Sequence, residues 1–225
     1  MRLEREADLE RTLADVRGQG RPYDVLVCLS GGKDSLYLLH RLKVDYRLNV
    51  LAFTTDVSIP DVAWRSIRPT VAMLEVDHLV YRPPDAFYRK LFRHLLTHQE
   101  ERGAVYTVSY VYAPLFEGDA LQVALEKGIP LVAAGYSPGQ PEPERMVYEF
   151  SRKLVCSTDW TPPGLRDASI FTEAELAFLR PVADLLACGA IPASPGGADP
   201  ARMRLLVALL DANGVLDTYV EYANG

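Results

Sequence analysis

The chain has 225 residues, of which 48% are hydrophobic and 24% charged, and this composition is typical of a globular protein built around one α/β domain. The formal net charge of −6 argues against a protein that binds nucleic acid through a general basic surface. No apolar run approaches the ~20 residues of a membrane span, and the charged first 20 residues lack the apolar segment of a signal peptide, so we expect a cytoplasmic protein.

Strands and helices are predicted to alternate through the first 137 residues. Helical spacing of apolar residues predicts helices over 3–17, 33–46, 61–76, 85–99 and 115–128. Short apolar runs predict strands over 24–29, 48–56, 77–82 and 129–137. Pro69 is expected to kink the third helix or to divide it in two. The segment GAVYTVSYVYAP at 103–114 favours a strand or an extended loop because it is rich in β-branched and aromatic residues.

The alternation predicts a doubly wound, mostly parallel sheet with helices on both faces. In such sheets, ligands bind outside the carboxyl ends of the strands. Three segments follow the predicted strand ends and become candidates for a site: SGGKDS, TTD and GYSPGQ.

The remainder of the chain has a different character. SPGQPEPER at 137–145 and TPPGL at 161–165 are rich in turn residues. A helix over 171–182 is expected, with Thr172 and Glu175 forming a capping box, and a second helix over 201–214 follows a loop. The sequence therefore predicts an N-terminal helix over 1–20, a central domain over 21–185 and a small helical C-terminal extension over 186–225.

The segment SGGKDS carries the features of an anion-binding loop. It consists of Ser30, Gly31, Gly32, Lys33, Asp34 and Ser35. The two glycines allow an anion to approach the backbone, the following helix offers its N–H groups, and the serines and the lysine add donors and charge. Asp34 is compatible with a phosphate if it binds a divalent cation, or if it caps the helix. The spacing is not that of a Walker A loop, which has a glycine, four residues, and then Gly-Lys-Ser/Thr.

The loop, placed between a buried strand and a helix, resembles the PP-loop of the N-type ATP pyrophosphatases, the adenine nucleotide α-hydrolase-like superfamily. The resemblance continues through LNVLAFTTD and FLRPVADL and covers roughly residues 22–185. VDHLVYRPPDAFYRKLFRHLL and IPLVAAG are most similar to the bacterial N-acetyl sugar amidotransferase branch. The resemblance implies a fold of the HUP type and cleavage of ATP between its α and β phosphates, normally with Mg²⁺. An oxygen of the substrate would be adenylated, and nitrogen or sulfur would then replace it as AMP leaves.

The resemblance also implies roles for individual residues. All six residues of the loop would bind phosphates, with Asp34 as the metal ligand. The adenine and ribose would be framed by Phe53, Thr54, Thr55 and Asp56, and the far side of the nucleotide by Gly135, Tyr136 and Ser137. Catalytic roles would fall to Lys33, Asp34 and Arg180. Lys153 is a further catalytic candidate from its position after the turn-rich loop, where it would meet the α-phosphate or an acidic substrate. Asp56 is alternatively a solvated strand-end residue, and Lys153 and Arg180 are equally compatible with surface cations.

The cysteines bear on the choice between nitrogen and sulfur. The chain has three, Cys28, Cys156 and Cys188, with no C-x-x-C pair and none near residues 105–115, where the amidotransferase branch and the thiolating relatives are both expected to have them. This departure weakens a persulfide or iron–sulfur mechanism, in which a thiolate carries the sulfur. We therefore expect nitrogen to be installed, with ammonia supplied by a separate glutaminase. The alternatives are a sulfur-inserting enzyme served by an external sulfur-carrier protein, and a nucleotide-binding protein without catalysis.

The remaining expectations concern the partner molecules. A small-molecule or carrier-bound substrate is expected, because the chain is short and acidic for an enzyme that modifies RNA. We also expect a homodimer. The four histidines, His40, His78, His94 and His98, lack the pattern of a metal site and are interpreted as structural. The basic residues Arg82, Arg89, Lys90 and Arg93 are interpreted as a solvated helix face.

Overall fold

The structure, a computed structural model, describes residues 2–97, 116, 119, 120, 122–136, 204–210 and 216–223. The helices are α1 (Arg2–Val16), α2 (Lys33–His40), α3 (Asp61–Met73) and α4 (Asp85–Thr97), followed by helical residues at 119, 120 and 122–127, termed α5. A π-helical turn, Arg41–Asp45, continues α2. The strands are β1 (Val25–Cys28), β2 (Val50–Thr55), β3 (Asp77–Tyr81), β4 (Leu131–Tyr136), β5 (Arg204–Leu210) and β6 (Leu216–Ala223).

The six strands form one sheet in the order β3-β2-β1-β4-β5-β6. Every neighbouring pair from β3 to β5 is parallel, and β6 runs antiparallel to β5. The chain winds outward from β1 to β3 in one direction and then returns to place β4 on the other side of β1. The direction of winding therefore reverses between β1 and β4, which is where open α/β sheets bind their ligands.

Helices cover both faces of this sheet, as the uninterrupted apolar strands require. Val25 and Val27 point into a core cluster with residues of α1, α2 and α3, and Leu26 points into a second cluster with residues of α5. The α/β class and the four strands predicted before residue 137 are confirmed. The third predicted helix is also confirmed, and α3 runs through Pro69 without dividing.

The prediction of a helix over 201–214 is wrong at residues 204–210, which form β5, and 216–223 form a further strand. The predicted helical C-terminal extension is therefore corrected: these segments extend the main sheet. A continuous apolar run such as LLVALL is compatible with either a buried helix or a buried strand. Its pairing with β4 satisfies backbone groups that would otherwise lie at an open sheet edge. The helix predicted over 171–182 and the loops predicted over 137–145, 161–165 and 187–200 lie outside the described residues.

A buried carboxylate joins the chain at the amino end of β1. Asp24 accepts hydrogen bonds from the backbone N–H groups of Gly18, at 3.1 Å, and Asn49, at 2.8 Å. These bonds tie the segment after α1 to the segment before β2. Asp24 thus stabilises the sheet at the amino ends of β1 and β2, on the side opposite to the carboxyl ends of the strands. Among the described residues, no helix combines the length and the apolarity needed to cross a membrane.

Candidate functional site

The SGGKDS loop lies at the carboxyl end of β1, beside the point where the winding reverses. The chain leaves the sheet after Leu29, whose N–H donates to the Phe53 carbonyl at 2.7 Å, and turns at Gly31, where φ is +80°. A Cβ atom on Gly31 would lie 2.9 Å from Cβ and 3.0 Å from the carbonyl oxygen of Ala63 in α3. Gly31 is therefore required both by its backbone angle and by the close packing of the loop on α3.

Two serine hydroxyls brace the loop from within. Ser35 is 3% exposed; its hydroxyl donates to the Gly32 carbonyl at 3.0 Å and accepts from the Ser30 N–H at 3.3 Å. The two hydroxyl oxygens are 3.2 Å apart, and because the hydrogen of Ser35 is already used, Ser30 is the donor between them. The Ser30 side chain is exposed. Of the two predicted phosphate-binding serines, Ser30 is thus accessible to a ligand, whereas Ser35 shapes the loop.

Lys33 and Asp34 open the first turn of α2 and form an ion pair. The Lys33 Nζ lies 2.6 Å from the Asp34 Oδ1, with the lysine side chain 81% exposed and the aspartate side chain 15% exposed. The lysine end of the pair is exposed and the aspartate end is largely covered, so Lys33 is the partner that phosphate oxygens can reach directly. Gly32, which precedes them, adopts an extended conformation, and a Cβ atom there would meet only the Ser30 Oγ, at 3.5 Å. The space beside Gly32 is therefore open to an approaching group, and its N–H, which donates to the Ser30 Oγ at 3.4 Å, would exchange that long bond for one to the ligand.

The residues at the end of β2 direct their polar atoms towards other protein groups. Phe53 is 2% exposed and belongs to the second core cluster, so its ring is not available to an adenine. The Thr54 hydroxyl donates to the Leu29 carbonyl at 2.6 Å. Asp56 accepts from the Ile59 N–H at 3.1 Å and pairs with the Arg82 Nε at 2.8 Å. Asp56 is therefore not a solvated strand-end residue, because both of its carboxylate oxygens are bonded to protein groups and hold the turn between β2 and α3.

One residue beside the carboxyl end of β2 was not predicted from the sequence. Asp119, in the first part of α5, accepts a hydrogen bond from the Thr55 hydroxyl at 3.2 Å. Burial raises the pKa of Asp119 from 3.8 to about 7, and the bond from Thr55 opposes that change. The pKa of Tyr81, at the end of β3, is raised mainly by burial and to a smaller extent by the nearby Asp119 carboxylate. An acidic residue near the start of a helix is common for reasons of capping and dipole, so the sequence carried no distinctive signal.

The end of β4 meets the same loop from the other side. A Cβ atom on Gly135 would lie 3.1 Å from the Asp34 carbonyl oxygen and 3.5 Å from the Leu38 Cβ. Gly135 therefore lets the first turn of α2 pack closely on β4. Tyr136 ends the strand, but its side chain is not described. The predicted site residues Ser137, Lys153 and Arg180 lie outside the described residues, as do Cys156 and Cys188.

The metal prediction concerns Asp34. Within the described ranges, no group of three or more histidine, cysteine, aspartate or glutamate residues could hold a metal ion. Mg²⁺ is commonly bound by one or two carboxylates together with phosphate oxygens and water, a mode that a single carboxylate beside a phosphate loop can serve. Asp34 as a magnesium ligand stays a prediction.

The comparisons with known proteins add no family assignment. No protein-family model matches the chain, and no curated protein matches its sequence. Fold and site together define an α/β protein whose glycine-containing loop lies between a central parallel strand and a helix N-terminus, at the reversal point of the sheet.

Proposed function

We propose that this protein is an ATP-dependent, AMP- and pyrophosphate-forming enzyme with a PP-loop in a sheet of the HUP type. The observation that carries the proposal is the position of SGGKDS, between β1 and α2 and flanked by β2 and β4. That position combines a helix N-terminus with the ligand-binding edge of a doubly wound sheet. The resemblance of the loop to the PP-loop supplies the choice of ligand, a nucleoside triphosphate held by its pyrophosphate portion.

The residues of the loop suit cleavage between the α and β phosphates. The backbone at Gly32 and the first turn of α2 would bind the β and γ phosphates, and the exposed Lys33 would reach their oxygens. Asp34 would hold the magnesium ion, which supplies further neutralisation of charge on those oxygens. A substrate oxygen attacks the α-phosphorus, the bond to the β-phosphate breaks, and pyrophosphate leaves. Lys33 would stabilise the charge that develops on the departing group.

The second half of the proposed reaction replaces the adenylated oxygen with nitrogen. Ammonia attacks the activated carbon, the new C–N bond forms, and AMP departs with the original oxygen. The ammonia would come from a separate glutaminase, and the acceptor would be a small molecule or a carrier-bound group. Cys28, the cysteine in the described part of the chain, is only partly exposed and packs against the second core cluster, which argues against Cys28 as a carrier of sulfur. Sulfur delivered on an external carrier protein is the alternative.

The test is the identity of the nucleotide products. Purified protein is incubated with ATP, Mg²⁺, ammonia and candidate acceptors, and AMP, ADP and pyrophosphate are measured. We expect AMP and pyrophosphate in equal amounts. Lys33→Ala and Asp34→Asn are each expected to lower the rate roughly 100-fold or more, the usual effect of removing a group that stabilises transition-state charge.

Matched controls lie at the other end of the same helical segment. Lys43→Ala and Asp45→Asn remove the same charges from the π-helical turn that follows α2, away from the loop, and are expected to leave the rate unchanged. Unchanged product release in Lys33→Ala and Asp34→Asn would show that the loop is not the site of cleavage. ATP binding without AMP formation for any acceptor would favour the non-catalytic alternative.

A further inference from the structure

A chain of two short hydrogen bonds links β3 to the start of the SGGKDS loop. The Thr54 Oγ1 lies 2.6 Å from the carbonyl oxygen of Leu29, the residue before the loop. The same oxygen lies 2.8 Å from the Nε2 of His78 in β3. Thr54 is 2% exposed, so its bond to Leu29 is buried, and its bond to the half-buried His78 is partly buried. Buried hydrogen bonds of this length constrain the groups that they join.

The chemistry of the hydroxyl fixes the direction of both bonds. A threonine hydroxyl has one hydrogen, and a carbonyl oxygen can only accept, so Thr54 donates to Leu29. The Thr54 oxygen is then the acceptor for His78, whose Nε2 must carry a hydrogen. Burial lowers the pKa of His78, which favours the neutral ring. The histidine is therefore held as the tautomer that is protonated on Nε2.

Leu29 is consequently fixed at both of its backbone polar atoms by β2. Its N–H donates to the Phe53 carbonyl at 2.7 Å, and its carbonyl accepts from Thr54. Two residues later, Gly31 packs against Ala63 of α3. The His78 ring lies beside Trp64 of the same helix, with ring centroids 6.2 Å apart. The first half of the loop is thus anchored to β2, β3 and α3 before α2 begins.

We propose that Thr54 and His78 are positioning residues that set the direction of the backbone at Leu29 and thereby the geometry of the loop for its phosphate ligand. This inference rests on the proposed function of the loop. It assigns Thr54 a different role from the predicted one, because the hydrogen of its hydroxyl is committed to Leu29 rather than offered to a ribose. Loss of the anchoring would let the loop shift, and misplacement by about 1 Å costs up to 100-fold in sites of this kind.

The experiment measures binding of MgATP and of pyrophosphate by calorimetry. Thr54→Val removes the hydroxyl at nearly constant volume, and His78→Leu removes the Nε2 donor. Each is expected to raise the Kd roughly tenfold, the effect of one buried hydrogen bond. Thr54→Ser keeps the hydroxyl, and His78→Gln can place an N–H near the former Nε2. Both are expected to stay within roughly threefold of the wild type.

The matched control is Thr70→Val. The Thr70 hydroxyl donates to the Ser66 carbonyl at 2.8 Å within α3, so the variant deletes the same kind of bond without touching the loop. It is expected to bind both ligands as the wild type does. If Thr54→Val does not fold, His78→Leu tests the same role, because it keeps the buried bond from Thr54 to Leu29 and removes only the donor that orients the Thr54 hydroxyl.

The outcomes separate this inference from the proposed function. Unchanged Kd values in Thr54→Val and His78→Leu would overturn the positioning role and leave the enzyme proposal standing. If the two variants bind more weakly and the wild-type protein binds MgATP but never forms AMP, the positioning role is supported and the enzyme proposal is overturned. A wild-type protein that binds neither MgATP nor pyrophosphate would overturn both.

Discussion

Replacing Asp119 with asparagine should change how the stability of the protein depends on pH. The fold holds this carboxyl largely out of water beside Thr55, and burial raises its pKa from 3.8 to about 7. The fold therefore favours the neutral form of the group. The stabilisation that this preference provides is complete below pH 3.8, declines as the pH rises, and is lost above about 7. Asparagine resembles the neutral form and does not ionise.

The magnitude follows from the two pKa values. At 1.36 kcal/mol per pH unit, the change from 3.8 to about 7 corresponds to at most about 4 kcal/mol at alkaline pH. Between pH 5 and pH 8 the stability of the asparagine variant relative to the wild type should increase by up to about 2.5 kcal/mol. The Thr55 hydroxyl can still donate to the asparagine carbonyl, so the hydrogen bond itself is retained.

The assay is urea unfolding of both proteins at pH 5, 6, 7 and 8, with the free energy of unfolding extrapolated to water. Using the difference between the two proteins cancels the titration of groups that they share, including His78. The Tyr81→Phe variant is the matched control, because it removes a titrating group that interacts with Asp119 while leaving Asp119 itself. A difference that stays constant across the four pH values would refute the assignment of a raised pKa to Asp119.

Three further outcomes are expected. In urea unfolding, Gly31→Ala should lose roughly 2–4 kcal/mol of stability, because it combines positive-φ strain with a Cβ 2.9 Å from the Ala63 Cβ. Gly18→Ala, which has φ +67° and open space around the Cβ, should lose only roughly 1–2 kcal/mol, and equal losses in the two variants would contradict the packing argument. Gly135→Ala should cost about 1–3 kcal/mol and weaken MgATP binding, measured by calorimetry, because its Cβ would press on the first turn of α2; wild-type affinity would show that this turn tolerates displacement. Burial lowers the pKa of His78, so the wild type should lose stability as the pH falls below 6.5, and His78→Gln should reduce that loss; identical acid unfolding curves would argue against it.

The first half of the fold was predictable because its signals are local. Apolar runs of strand length alternate with helical spacing, and β1 to β4 and α1 to α5 were placed from that pattern within a few residues. The segment at 204–210 was not predictable in the same way. Its apolar run has no periodicity that separates helix from strand, and the outcome depends on the edge of β4, which no local pattern reveals.

The same distinction between local and long-range signals applies to the candidate site. The sequence by itself determined that a loop with two glycines, a lysine and an aspartate follows a buried strand and opens a helix, because these are properties of consecutive residues. Only the tertiary structure decided which neighbouring side chains are accessible and which are buried or bonded to the protein. It turned Phe53 into the core, committed the hydroxyls of Ser35 and Thr54 to backbone carbonyls, and brought Asp119 and His78 to the end of β2. These partners are 3 to 64 residues apart in the chain, and parallel pairing and helix packing are what bring the distant ones within hydrogen-bond distance.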